Sequence, residues 1–535
     1  MARTAVPVRE AAPTGRPGPP LSSSWWEGAR RRDLALFACP ALLAVGLCLI
    51  EIRSRSLGFD ESATVAIAGQ HGSALWSAIA HDGGNMSAYY AGLHLVVGAL
   101  GDGTLAIRLP SAVAITATVA VVCVLARRLL DSRAALLAGL LSAVSLPLVF
   151  WAQDARGYAP MVAFTAGSFL AFVVLVERAV ERRPVRWALI AYVACTSFAL
   201  YCGLVAVLVV PAQLLTLVWA RRALRPAAAA LGATAVCCSP LAVLALNRGS
   251  GQLFWVPSPS LTGLKQVLEL LSSAGLQPSF HATSTTVVLM ACTLAMVAVA
   301  GLAAAPALAE RGPWATQGPA LALSWLLVPF VLALVESIIW QPILVPRNLL
   351  VSVPAVALLL AWGLTHPRVP PPLAWSLLAG LLILRALQLA PSYGVSPEDW
   401  RGATGYVLAR SRPTDCVAFY PSDGRMAFRY YLAAARPELA RAPVPVLPAA
   451  PWRALRPYVE DYASLSSGQV SALHARCPRL WLVSSHEGQA DGPARSRANY
   501  ERYLELVAAL GESYAHSGAV TFGYASRIRV ELLTA

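Results

Sequence analysis

Charge is scarce in this chain. Only 13% of its 535 residues are Asp, Glu, Lys or Arg, where a soluble domain carries about a quarter. With 57% hydrophobic residues and a mean hydropathy of +0.58, too little polar surface remains to face water on every side. A bilayer removes that difficulty, because side chains facing lipid need no charge. Lysine is almost missing: Lys265 stands alone among 42 basic residues. The formal net charge of +14 does not point to nucleic acid, because the arginines sit in short loops between apolar runs, a pattern of membrane topology. Metal-binding motifs are also lacking. There is no CxxC and no Cys/His pairing, and eight of the ten cysteines, Cys123, Cys195 and Cys237-Cys238 among them, fall in or beside apolar runs as small core residues. Cys416 and Cys477 lie outside those runs and can pair if that region faces an oxidising compartment. No Gly-rich phosphate loop and no short-period repeat is found. The centres of the apolar runs hold almost no ionisable residue; Glu336 and Arg385 lie towards predicted ends.

What is present is a succession of spans. Residues 1–29 form a Pro-, Ala- and Ser-rich stretch without apolar periodicity, expected to be a disordered cytoplasmic tail. Arg30-Arg31-Arg32 precede the first run, 34–50, and argue for a cytoplasmic N-terminus. Further spans are expected at 106–126, 134–150, 159–177, two within 187–220 turning near Tyr201-Cys202-Gly203, then 227–246, 283–305, 320–340, 349–365 and 372–391. Every second loop is Arg-rich. The total of about eleven spans is odd, which places the C-terminal region opposite the N-terminus. The domains expected are therefore a transmembrane domain over 30–392 and an extracytoplasmic domain over 393–535, in the plasma membrane.

The loops opposite the Arg-rich ones differ in kind. The first, 51–105, holds Asp60-Glu61, His71, His81-Asp82 and Tyr89-Tyr90. Its segment AYYAGLHLVVGAL is apolar but too short to span, which fits an interfacial or re-entrant helix. The next outer loop carries Asp154 and Arg156, and later ones Arg248, Lys265 and Arg347. In the last 140 or so residues, WRGATGYVLAR and SRANYERYLELVAAL read as amphipathic helices, and CVAFYP and RLWLVSS as short buried strands. Their alternation predicts a small α/β domain. The fold class expected is thus a mostly helical, polytopic membrane protein with a small C-terminal α/β extracytoplasmic domain.

A carboxylate pair at a membrane surface can serve as general base, metal ligand or solvated charge. Glycosyl transfer to a hydroxyl needs a base for the acceptor proton and positive charge for the departing phosphate, which Arg supplies through planar, bidentate donors. The outer loops offer both. Beyond this, the stretch AYYAGLHLVVGALGDGTLAIRLPSAVAITATVAVVCVLARRLLDSRAALLAGLLSAVSLPLVFWAQDARGYA resembles the N-terminal part of bacterial GT-C glycosyltransferases, the protein mannosyltransferase-like and aminoarabinose transferase-like enzymes. The order matches: acidic pair after the first span, Tyr-Tyr and His, IRLPSA, RRL, then WAQDARGYA. PRNLLVSVPAVALLLAWGL is similar to the family's late Pro-Arg segment, and DWRGATGYVLARSRPTDCVAFYP resembles the start of its extracytoplasmic domain.

That resemblance implies a GT-C-like fold and a sugar, mannose first, moved from a polyprenyl-phosphate donor to a hydroxyl of a glycan, lipid or protein. Asp60 matches the family's first-loop base, with Glu61 beside it, and Asp154 the second-loop acid. Arg347 matches the arginine that meets the donor phosphate, while Tyr89, Tyr90 and Arg108 match positions near the lipid-phosphate groove, with Arg156 close by. Two departures bear on the substrate: Met86-Ser87-Ala88 stand where prolines are common, and Asn348 where an aromatic usually follows the arginine. Plainer roles stand beside these. Arg108 also fits an interfacial snorkel, Tyr89-Tyr90 aromatic-belt anchors, Asp154–Arg156 a surface ion pair, and Trp255 either a sugar platform or a loop anchor. His71 and His81 lack metal-ligand spacing, and no cofactor is expected, since the carrier leaves as a phosphate monoester. A lipid-linked-sugar flippase or transporter is the runner-up; transporters place ionisable groups inside the bilayer, whereas here charge sits in the loops. A non-catalytic scaffold is the third reading.

Overall fold

A computed structural model describes residues 31–249, 253, 255–273, 287–288, 290–297, 318–367, 369–435, 442–452 and 462–535. The tail at 1–29 and most of the expected span 283–305 lie outside the described residues. Among them, five helices are long and apolar enough to cross a membrane, or seven if each of two bent pairs is one span. Helix α1 (Arg31–Leu49) is followed by three loop helices, α2 (Phe59–Ala68), α3 (Ser73–His81) and α4 (Ser87–Leu100), and then by α5 (Thr104–Leu129). The expected span 134–150 is broken into α6 (Ser132–Ala143) and α7 (Leu146–Ala152), bent by 57°. Helix α8 (Tyr158–Val180) is unbroken, and 187–220 divides at Gly203 into α9 (Arg186–Cys202) and a run of short helices over Leu204–Val218. A second bend, of 53°, separates Arg221–Cys237 from Ser239–Arg248. Gly318–Ile339, Pro346–Thr365 and Pro371–Ser392 complete the set. Shorter apolar helices lie at Phe37–Leu49, Ser87–Leu100, Arg186–Cys202 and Leu204–Val218.

Small residues bring the helices together, as expected where lipid supplies no hydrophobic drive between them. A Cβ at Gly139 of α6 would overlap Cys123 Sγ of α5 and press on Pro40 of α1. Polar groups are satisfied within the bundle: Tyr192 donates to Gln213 Oε1 at 2.8 Å, and Gln213 Nε2 donates to Ser168 Oγ at 3.0 Å. Trp325 stacks on Phe169 with centroids 3.8 Å apart and donates its indole N–H to the Val351 carbonyl at 2.8 Å. Ser337 Oγ accepts from the amides of Ile343 and Leu344 at 2.8 Å, and Asn348 Nδ2 donates to the Ile343 carbonyl. The turn carrying Arg347 is therefore pinned on both sides.

The C-terminal sheet contains β1 (Cys416–Tyr420), β2 (Val444–Leu447), β3 (Arg479–Ser484), β4 (Ala515–Phe522) and β5 (Ile528–Thr534), in the order β2-β1-β3-β5-β4. β1 runs parallel to β2 and β3, and β5 returns antiparallel between β3 and β4. Alternate residues of β1 serve opposite faces. Cys416, Ala418 and Tyr420 join Val470, Leu506 and Leu510, while Val417 and Phe419 join Trp400, Val407 and Phe428. Helices thus cover both faces of the central strands, which is why β1 and β3 are almost continuously buried while the edge strand β4 is exposed. A disulfide links Cys416 to Cys477.

This α/β unit is sewn to the stretch between α1 and α2. Tyr393 donates to the Leu47 carbonyl, Arg401 to the carbonyls of Arg53, Ser54 and Arg55, and Tyr431 accepts from the Leu57 amide at 2.6 Å. On the opposite side, Gly157 starts α8 against the end of α9, where an added Cβ would overlap the Cys202 carbonyl oxygen and touch Met86. Gly157→Ala should therefore cost about 1–3 kcal/mol through overpacking, read as a lowered Tm in detergent.

Candidate functional site

The site starts at the N-terminus of α2. Gly58 precedes the helix in an extended conformation, and Asp60 and Glu61 occupy the first turn, where carboxylates meet the positive end of the helix dipole. The two acids then diverge. Glu61 is buried. Arg108 grips it with two parallel hydrogen bonds, Nε to Oε1 at 2.8 Å and Nη2 to Oε2 at 2.7 Å. The amides of Ala155 and Gly58 donate to the same carboxylate at 2.9 and 3.2 Å. The remaining Arg108 donors go to the carbonyls of Ile52, Arg55 and Ser56. Burial alone would raise the Glu61 carboxyl, but the charge and hydrogen bonds of Arg108 outweigh it and hold the group below its ordinary value.

Asp60 keeps its side chain 46% exposed. Arg347 Nη1 lies 3.1 Å from Asp60 Oδ2, and Arg156 Nη2 3.6 Å from the same oxygen. Burial acts to raise this carboxyl too, and the charges of Arg156, Arg347 and His486 lower it further than burial raises it. Arg347 sits between aromatic faces, 4.4 Å from the Trp255 centroid and 5.8 Å from that of Tyr158. Arg156 also donates to the Asp60 carbonyl and to Thr64 Oγ1.

Asp154 behaves differently. Its Oδ1 is buried without a hydrogen-bond partner. Burial, then the charge of Glu61, push its carboxyl up to about 8. Arg55 closes this end, donating to the carbonyls of Phe150 and Gln153 at 3.0 Å and lying 4.1 Å over the Phe150 ring.

The structure thus brings Asp60, Arg156 and Arg347 together, with Glu61, Arg108 and Asp154 packed behind them. It does not open the other expected donor ligands to a phosphate. Arg108 is 1% exposed and paired with Glu61, which corrects its reading as an interfacial snorkel. Glu61 likewise has no free face as a base. Tyr89 is buried with its hydroxyl 3.2 Å from Ser111 Oγ, and Tyr90 donates to Asp82 Oδ2 at 2.9 Å, so both pack inward rather than anchoring a belt or lining a groove. Arg156 turns to Asp60 instead of forming a surface pair with Asp154. His71 packs edge-on against His94, and no group of three potential metal ligands occurs among the described residues.

A family model described as dolichyl-phosphate-mannose-protein mannosyltransferase matches residues 85–245. ArnT from Cupriavidus metallidurans, solved bound to undecaprenyl phosphate, superposes with a TM-score of 0.53 at 13% identity, over 95% of this chain and 98% of that one. The chain thus shares the GT-C fold of that membrane protein, and over residues 85–245 it is similar to the mannosyltransferase family. The archaeal oligosaccharyltransferase AglB from Archaeoglobus fulgidus, in complex with an inhibitory peptide and a dolichol-phosphate, gives 0.55 at 11% identity, over 92% and 73%. No curated protein matches by sequence. Within this GT-C fold, the residues that sequence reasoning missed are Arg55, Glu398 and His486. Arg55 lies in the first outer loop among other arginines, and His486 follows the carboxyl end of β3, where α/β sheets bind ligands; that position was the available signal.

Two outcomes follow. Arg108→Met strands the Glu61 charge in the interior and should cost about 3–5 kcal/mol, while adding Glu61→Gln should recover much of it in a double-mutant cycle on Tm. The Asp154 carboxyl is raised in the folded state, so the unfolded chain releases its proton first and stability falls between about pH 4 and about 8. Asp154→Asn removes that loss, so its Tm relative to the unmutated protein should climb across the same window.

Proposed function

We propose that this membrane glycosyltransferase moves a sugar from a polyprenyl-phosphate-linked donor to an acceptor hydroxyl, with Asp60 as base and Arg347 as the ligand of the donor phosphate. The contact between Asp60 and Arg347, 3.1 Å across 287 residues of sequence, carries the reading. It joins a half-exposed acid at the start of α2 to the turn before a late span. The lipid phosphates bound to ArnT and AglB, undecaprenyl phosphate and dolichol-phosphate, support a polyprenyl-phosphate carrier here.

The steps follow from the charges. Paired with two arginines, Asp60 is a weak base. An incoming phosphodiester competes for Arg347 and, in drawing it away, restores basicity to Asp60. The acceptor hydroxyl then attacks the anomeric carbon and passes its proton to Asp60. The bond from that carbon to the phosphate oxygen breaks, and the carrier departs as a phosphate monoester. Arg347 and Arg156 stabilise the charge that grows on it. The reaction in this form calls on the arginines and on no metal. Mannose is the first donor sugar to test, on the description of the matching family model. Chemistry on the extracytoplasmic face, with the N-terminus cytoplasmic, is supported by the alternation of Arg-rich loops and by the Cys416–Cys477 disulfide.

The test is incubation of the purified protein with a panel of polyprenyl-phosphate sugars and acceptors, following release of free lipid phosphate. Turnover is expected with at least one donor. Asp60→Asn should lower kcat by about 10²–10⁴-fold, the range for loss of a general base, and Arg347→Ala should weaken donor use as well. If no donor releases lipid phosphate, or if Asp60→Asn keeps full turnover, the reading fails and a lipid-linked-sugar flippase takes its place.

A further inference from the structure

The C-terminal domain reaches the helix that carries Asp60 through two of its side chains. His486 follows β3, and its ring packs tilted on Phe59 with centroids 5.2 Å apart. Its Nε2 lies 3.3 Å from Glu398 Oε1, and its Nδ1 3.3 Å from Ser485 Oγ. The other Glu398 oxygen accepts from the Phe59 backbone amide at 2.6 Å and from the Trp400 indole at 3.2 Å. Phe59 opens α2 and Asp60 follows it, so a carboxylate from the C-terminal domain caps this helix where Gly58 offers no side chain to do so. The His486 backbone is left-handed, with φ +54°, a conformation that costs a residue with a Cβ about 1–2 kcal/mol and persists where the surroundings impose it.

We propose that His486 is a positioning residue of the transfer site: through Glu398 it fixes the first turn of α2, and with it Asp60, and it does so only while the imidazole carries its proton. The groups facing it are Asp60 and Phe59 on α2, Glu398 and, on its own loop, Ser485 and Glu487. Arg156 and Arg347 act on it only through Asp60, which they hold ionised. Burial would lower the imidazole, but the carboxylates of Glu398, Asp60 and Glu487 raise it by more, so it titrates above its ordinary value. A raised folded value sets the sign. The clamp is complete below the ordinary histidine range and is lost as pH rises through the elevated value. An uncharged imidazole leaves Glu398 with less to hold it, and the amide of Phe59 with a looser acceptor.

The role in transfer rests on Asp60 being the base; the clamp itself does not, and the two are measured separately. Amide hydrogen exchange of Phe59–Ser62 is followed in the full chain in detergent, from about pH 5.5 to about 8.5, after correction for intrinsic rates. The unmutated protein should lose protection there as pH rises through the elevated value of His486, while the amides of the C-terminal helix Ala494–Ser513 stay protected. Glu398→Gln keeps an oxygen for the Phe59 amide but removes the charge, so its protection should no longer change with pH. H486Q should show low protection at every pH. In the lipid-phosphate assay H486Q should lower kcat about tenfold or more, as misplacement of a catalytic group does, with KM for the donor little changed. Persistence of the pH-dependent step in both variants would overturn the clamp, and Ala494–Ser513 reports whether either variant has unfolded. Absence of turnover in the unmutated protein, with the exchange step present, would overturn the transferase reading and leave the clamp standing.

Discussion

A single buried ion pair organises this site. Glu61 and Arg108 meet where neither reaches water, and a charge in such a place must find partners or the fold loses several kcal/mol. Arg108 therefore spends its donors on Glu61 and on the carbonyls of Ile52, Arg55 and Ser56, while Glu61 takes the amides of Gly58 and Ala155. Four separate pieces of chain are tied by that demand: the stretch after α1, the start of α2, the start of α5 and the turn before α8. Each of them contributes to the environment of Asp60.

The consequence is a division between neighbouring acids. Glu61 points inward and is consumed by structure, and Asp60 remains half-exposed between two arginines. Behind them, burial and then the charge of Glu61 push the Asp154 carboxyl up. Four arginines, Arg55, Arg108, Arg156 and Arg347, thus face two ionised carboxylates. The surplus is positive, and Arg347, 28% exposed, carries part of it beside Asp60.

Much of this was legible in order along the chain. The apolar runs marked the helices because hydropathy is local, and the alternating helices and strands marked the α/β unit because their periodicities differ. Asp60 and Arg347 were singled out as candidates, and they touch. Other assignments failed for definable reasons. An arginine at the start of a span reads alike whether it meets lipid headgroups or a buried carboxylate, so Arg108 looked like an interfacial snorkel. Tyr89-Tyr90 looked interfacial because the residues that take their hydroxyls, Ser111 and Asp82, are not marked by any spacing. The bends after Ala143 and Cys237 leave hydropathy almost unchanged, so the sequence showed the apolar runs but not the angles within them.

Composition and periodicity settled the membrane character, the position of the apolar helices and the α/β alternation of the last part, since each depends on residues within a few turns of one another. Which acid is a structural anchor and which stays half-exposed was decided only by folding. Asp60 and Glu61 are adjacent and chemically alike. A helix turns by about 100° per residue, so one points to Arg108 and the other to Arg347, and their difference comes from what long-range contacts place around each. The same holds for Glu398 and His486, whose meeting with α2 depends on a docking of distant segments that no local pattern encodes.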